Sequence, residues 1–336
     1  MVAANLYKTY NRIIKTIIVI FAVFFLYNQF FIKDNLSEIF ALLESLISKE
    51  KFLIYTIPVL LLMPLNWLLE AIKWQKSVAS NEHISISTAL KAVFAGTTIS
   101  SVSVNRTGEF IGRVSVLKKH SFWQGTVVTF VGSYAQTFNT FLWGSISACI
   151  LLFSSDINFG INKLLLIFVF LIIFVSLIIF LFFYFKISWL KYLIKPTWKK
   201  TIRAVSILKS IDNRTLISIM LLSTFRYLVF STQFYLLLKG ASVELNYLVG
   251  LMLISCMFLF NTIRPSIALI EIGMRSVSAL LIFKIYFIDI LGQNTYPNSE
   301  VVVVTSFIWL INIVLPAIIG LFFIKDLKFF KKESKL

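Results

Sequence analysis

The sequence predicts an all-α, polytopic integral membrane protein, and three features carry that prediction. Of its 336 residues, 58% are hydrophobic and 14% charged, against roughly 45–50% and about 25% in soluble domains. Six stretches are apolar over the ~20 residues that a bilayer crossing needs. The charge is lopsided, with 32 Lys and Arg against 15 Asp and Glu, and the excess gathers on one side of the predicted spans.

The first span, Ile13–Ile32, has no small-residue cleavage site after it, so it is expected to stay attached as an anchor. The acidic loop Lys33–Lys51 leads to the second span, Phe52–Glu70. An interrupted apolar stretch follows at about 84–117, containing Gly96, Asn105, Arg106, Gly108, Glu109, Gly112 and Arg113. Next come the spans Gln124–Phe153 and Lys163–Phe185. The first of these carries Ser133, Gln136, Thr137, Thr140, Gly144 and Ser147 at helical spacing, which reads first as small-residue helix packing and second as a hydrophilic pathway.

The basic loop 186–214 brings Trp189, Tyr192 and Trp198 as interfacial anchors. Within it Trp198, Ile202, Val205 and Leu208 form an apolar stripe beside Lys199, Lys200, Arg203 and Lys209. An ordinary basic loop explains that pattern, and so does a helix lying on an anionic leaflet. The span Leu216–Leu238 holds Arg226 at its middle. A second interrupted stretch, about 246–287, contains Asn261, Arg264, Pro265, Glu271, Gly273 and Arg275, and Val301–Ile324 is the final span.

Each interrupted stretch is either two short crossings or a re-entrant hairpin, and charge counting favours hairpins. With a cytoplasmic N-terminus, 23 Lys and Arg then fall on the cytoplasmic side and 8 outside, leaving Arg226 within a span. The expected location is a bacterial-type cytoplasmic membrane, with both termini cytoplasmic and residues 1–336 forming one transmembrane domain. The same count removes nucleic acid as the explanation of the +17 net charge.

The two interrupted stretches share a pattern. The first reads Asn105-Arg106-Thr107-Gly108-Glu109 and continues to Gly112-Arg113; the second has Arg264-Pro265, then Glu271, Gly273 and Arg275. Both place Glu and Arg four apart, on one helix face in the favourable order. Ionisable groups at membrane depth cost kilocalories and are usually paired and functional. Opposed broken helices of this kind suggest an inverted repeat, a transporter plan with the substrate site at the breaks. Arg226 is a third such charge, expected to snorkel or to pair with a carboxylate such as Glu271.

Gly108-Glu109 followed by Arg113 and Leu117 resembles the G-R-x-G-E-x-x-R-x-x-x-L element of the lysylphosphatidylglycerol synthase transmembrane-region superfamily, with Arg113 one residue further from the acid than in that element. Asn105-Arg106 stands where many members have Pro-Gly-Arg. Pro265, Gly273 and Arg275 are similar to its second element, although the double glycine is missing and the acid precedes the arginine. The resemblance implies a flippase-like fold that moves a lipid head group. Members with synthase activity carry an additional soluble domain, which this sequence, reaching only Leu336 after its last span, is expected to lack.

The expected function is therefore a translocase of a phospholipid or lipid-linked head group. Arg106, Arg113, Arg226, Arg264 and Arg275 are the candidate phosphate-binding residues, with Glu109 and Glu271 holding them. No catalytic residue, metal site or cofactor is expected: only His83 and His120 are present, and Cys149 and Cys256 have no redox or metal spacing. The expected partners are anionic membrane lipids. The competing readings are a membrane enzyme acting on a lipid-linked substrate, which would need a general base or metal, and a non-transporting assembly partner.

Overall fold

A bilayer offers no water to backbone N–H and C=O groups, so apolar segments must pair them internally and fold as helices. The computed structural model describes residues 44–327 apart from 81, 102, 104–105, 119–121, 155–162, 264–270 and 326, with scattered positions before 44. Its described elements are all helical. They are α1 (Glu50–Ala79), α2 (Ile86–Ser100), α3 (Gly108–Val114), α4 (Phe122–Ser154) and α5 (Lys163–Phe185). There follow α6 (Lys199–Ser206), α7 (Asn213–Gly240), α8 (Tyr247–Ile263), α9 (Glu271–Lys284), α10 (Asn298–Trp309) and α11 (Leu315–Ile324). A π-helical turn, Leu310–Val314, joins α10 to α11 as one rod.

Five of these rods are long and apolar enough to cross a membrane: α1, α4, α5, α7 and α10–α11. The predicted span Ile13–Ile32 lies largely outside the described residues. Helix α5 presents exposed Leu, Ile and Phe side chains along its length, a surface suited to lipid rather than water. The core lies where α1 runs along α7, with Phe52, Trp67, Trp74, Phe234, Phe258 and Phe283 buried in one cluster. Helix α1 continues to Ala79, well past the predicted end of its span, despite Pro58 and Pro64. Gln233 Nε2 of α7 donates to the Val59 carbonyl between the two prolines, at 2.8 Å.

Both interrupted stretches break into two packed helices, α2 with α3 and α8 with α9. Arg106 lies in the first break with φ of +58°, a left-handed conformation that non-glycine residues rarely adopt. Glycine lets α2 and α3 touch. A Cβ on Gly112 would overlap the backbone of Gly96, and one on Gly108 would lie 2.5 Å from the Ile99 carbonyl oxygen. The stretch also closes on its own start, because the Lys118 N–H donates to both Glu82 carboxylate oxygens, at 2.8 and 3.0 Å.

The second element is held differently. Ser278 of α9 donates to Asn261 Oδ1 of α8 at 2.8 Å, and a Cβ on Gly273 would meet nothing within 4 Å. The shared Gly–Arg pattern therefore corresponds to helix contact in one element and to open space in the other. The apolar stripe of the basic loop divides: Val205 and Leu208 are buried in a cluster with Tyr184, Ile187 and Leu216, while Trp198, like Trp189 and Tyr192, stays exposed.

Candidate functional site

Glu70 and Lys73 stand three apart on α1 and share a face, so Lys73 Nζ reaches Glu70 Oε2 at 2.6 Å. Two arginines from distant helices complete the cluster. Arg113 of α3 lies 2.7 Å from Glu70 Oε1, and Arg226 of α7 lies 2.8 Å from Oε2. Glu109 pairs with Arg113 one turn along α3, the arrangement its spacing predicts. The side chains of Glu70, Lys73 and Arg113 are 3%, 2% and 1% exposed, against 22% for Arg226 and 29% for Glu109.

Burying a lone charge costs several kcal/mol, so such groups persist only when paired and hydrogen-bonded. Arg226 is the most connected of them. Its Nε donates to Asn66 Oδ1 at 3.0 Å, and its guanidinium lies 5.5 Å from the Trp67 ring centroid. Asn66 Nδ2 donates in turn to Asn312 Oδ1 at 3.1 Å. Asn312 belongs to the π-helical turn, a distortion found frequently at functional sites.

A cavity of about 710 Å³ opens beside this cluster. Helix α1 contributes Trp67, Glu70 and Lys73, and the first broken element contributes Thr97, Arg106 and Glu109. Helix α4 adds Ser133, Gln136, Thr137 and Thr140; α7 adds Arg226; the second broken element adds Asn261, Thr262 and Arg275. Described residues of both broken elements thus line one cavity. An adjoining lobe of about 260 Å³ shares Arg106, Arg226 and Arg275, and is walled further by Asn66, Tyr227, Phe230, Phe258 and Asn312. Among the described lining residues, Lys73, Arg106, Arg226 and Arg275 face Glu70 and Glu109. The surplus is cationic, and guanidinium forks suit phosphate oxygens.

Of the residues predicted from sequence, Arg106, Glu109, Arg226 and Arg275 come together on this cavity. Arg113 lies behind them, buried against Glu70 and Glu109, and positions rather than lines. Arg226 pairs with Glu70, because α7 runs along α1. Arg264 and the side chain of Glu271 lie outside the described residues. The α4 stripe divides: its first four members line the cavity, while Gly144 packs against Leu259 of α8.

Sequence reasoning missed Glu70 and Lys73, taking the first as the end of a span and the second as a loop cation. The signal was present in Asn66-Trp67-Leu68-Leu69-Glu70-Ala71-Ile72-Lys73-Trp74, an acid and a base three apart in an otherwise apolar, tryptophan-flanked run. Outside the spans, Asp212 caps α7. Its carboxylate accepts from the Thr215 N–H at 3.1 Å, and the Thr215 hydrogen bonds hold its carboxyl below the usual range. No protein-family model and no curated protein matches the chain.

Proposed function

We propose that this protein is a translocase of phospholipid or lipid-linked head groups, and that the two-lobed cavity is its head-group site. The observation that carries the reading is the convergence of both broken elements and the Arg226 helix on one cation-rich cavity. In this mechanism Arg106, Arg226 and Arg275 bind the phosphate, while Glu70 and Glu109 hold the cations when the site is empty. Arg113 and Lys73 fix Glu70 in place.

The two broken elements act as gates that open alternately to either leaflet, in the manner of opposed half-helices around a fixed site. A re-entrant path for the first element is supported by the hydrogen bond from Lys118 back to Glu82, which joins the two ends of that stretch. Arg264 and Glu271 belong to the second gate. In this reading the chain lies in a cytoplasmic membrane with both termini inside, and the superfamily resemblance of the Gly108-Glu109 element points to the same activity. Proteoliposomes carrying a fluorescent lipid probe test it: Arg275→Ala is expected to abolish probe movement and Glu109→Gln to slow it. Unchanged flux in both variants, or no flux in the parent protein with and without an ion gradient, refutes the reading.

A further inference from the structure

The basic loop between α5 and α7 has two unlike sides. It joins two rods that are long and apolar enough to cross a membrane, so both its ends stand at one boundary of the bilayer. Its inner side is fixed: Ile187, Val205, Leu208 and Ile211 are buried in one cluster with Tyr184 of α5, Leu216 of α7 and Val131 of α4. Two 3-10 turns of the loop, Ile187–Leu193 and Ile207–Ser210, pack on each other above that cluster. The outer side carries Trp189, Tyr192 and Trp198, all exposed. Rings of this kind, apolar in body and polar at one end, are enriched where lipid head groups meet acyl chains.

The charge of the outer side has no answer within the loop. Residues 186–214 hold eight Lys and Arg against one acid, Asp212, and that carboxylate caps α7. Among the described residues, Lys186, Lys191, Lys199, Lys200, Arg203 and Lys209 form no ion pair with a carboxylate. Two of these cations are held together, since Lys191 and Lys209 sit on the two packed turns. Lys191 Nζ lies 4.3 Å from the Tyr192 ring centroid. Hydrogen bonding with the Lys191 side chain, and then its charge, holds the Lys209 ammonium below the usual lysine value. An anion placed between the two would relieve that repulsion. The surface is also continuous with the flank of α5, whose exposed Leu, Ile and Phe side chains suit acyl chains. Phe182 of that flank meets the Trp189 ring edge-on at 5.7 Å.

We propose that the outer side of this loop is a docking surface for anionic phospholipid: Trp189, Tyr192 and Trp198 enter the head-group layer, and Lys191 and Lys209 share a lipid phosphate. The tails of that lipid run along α5, which is why the occupant is lipid and not an acidic protein. The surface is separate from the cavity, and the proposal stands whether or not the protein moves lipid.

The test titrates the full-length protein in neutral detergent with phosphatidylglycerol or phosphatidylcholine, each brominated on the acyl chain so that bound lipid quenches nearby tryptophan. The loop signal is the part of the quenching that Trp189→Phe/Trp198→Phe removes. Each Lys or Arg near an anionic surface is worth about fivefold in partition, so half-quenching is expected at about one fifth as much phosphatidylglycerol as phosphatidylcholine, or less. Lys191→Gln/Lys209→Gln, and high salt with the parent protein, are each expected to bring the two lipids to within about twofold. Lys51→Gln at the start of α1 and Arg275→Ala in the cavity are expected to leave the loop preference unchanged. Equal quenching by the two lipids, or a preference that survives either the lysine substitutions or high salt, overturns the proposal. Displacement of phosphatidylglycerol by polyglutamate of equal charge assigns the surface to an acidic protein and overturns it as well.

Discussion

Replacing Glu70 with glutamine keeps the shape of the side chain and removes the one carboxylate that three cations share. Lys73, Arg113 and Arg226 lie 2.6, 2.7 and 2.8 Å from its oxygens, and its side chain is 3% exposed. With charge centres about 4 Å apart and an effective dielectric of about 20, each attraction is worth about 4 kcal/mol gross. Mutual repulsion of the cations and the cost of desolvation offset most of that sum. Removing one partner of a buried ion pair costs about 3–5 kcal/mol, because the remaining charge stays buried without compensation. Glu70→Gln is therefore expected to lower stability by about 3–5 kcal/mol, read as a fall in melting temperature on the order of 5–15 °C in detergent. A second substitution, Lys73→Met, removes one stranded cation and is expected to recover part of the loss. The double variant then sits above the sum of the two single effects. A loss below about 1 kcal/mol for Glu70→Gln, or strict additivity with Lys73→Met, would refute the claim that this carboxylate organises the cluster.

Three further outcomes follow from the same geometry. Gly112→Ala places a methyl group into the Gly96 backbone and is expected to cost about 1–3 kcal/mol by forcing α2 and α3 apart. Gly273→Ala, facing open space in α9, should be neutral or stabilising by about 0.5–1 kcal/mol; parallel thermal melts compare the two. Arg226→Lys keeps a charge for Glu70 but cannot also donate to Asn66 from a fixed fork, so weaker phosphate binding with a fold-stability loss smaller than that of Glu70→Gln is expected by titration and melting. The Asp212 carboxyl titrates below its unfolded value because it is hydrogen-bonded to Thr215. Its contribution is present at neutral pH and is lost as pH falls through the carboxylate range. Asp212→Asn keeps the cap and is expected to remove that acid-dependent part of the melting curve.

Much of the architecture was legible in the linear pattern because the signals are local. Apolar runs such as Lys163–Phe185 must be helical in lipid, and the charges of Arg106, Glu109 and Arg113 mark a stretch that cannot be an ordinary span. The Glu109–Arg113 pair follows from a spacing of four. Glu70 was harder to see, since an acid at the edge of an apolar run reads equally as the end of a span. The Ser133, Gln136, Thr137 and Thr140 stripe is ambiguous for a similar reason: small polar residues pack helices and line cavities with the same periodicity.

Sequence alone settled that this chain is a bundle of long apolar helices with two broken elements, because helix formation and charge burial are decided within a few turns. It also marked Arg106, Arg226 and Arg275 as charges that are costly at membrane depth. Which carboxylate answers them is a question of distance in space. Only the packing of α7 along α1 sets Arg226 against Glu70. Only the α2–α3 contact at Gly96 and Gly112 carries Arg113 to the same carboxylate. The π-helical turn rotates Asn312 onto Asn66, a displacement that hydrophobic periodicity does not encode. The cavity exists because these long-range contacts bring the helices to one place, and pairing across helices depends on how they pack, which local spacing leaves open.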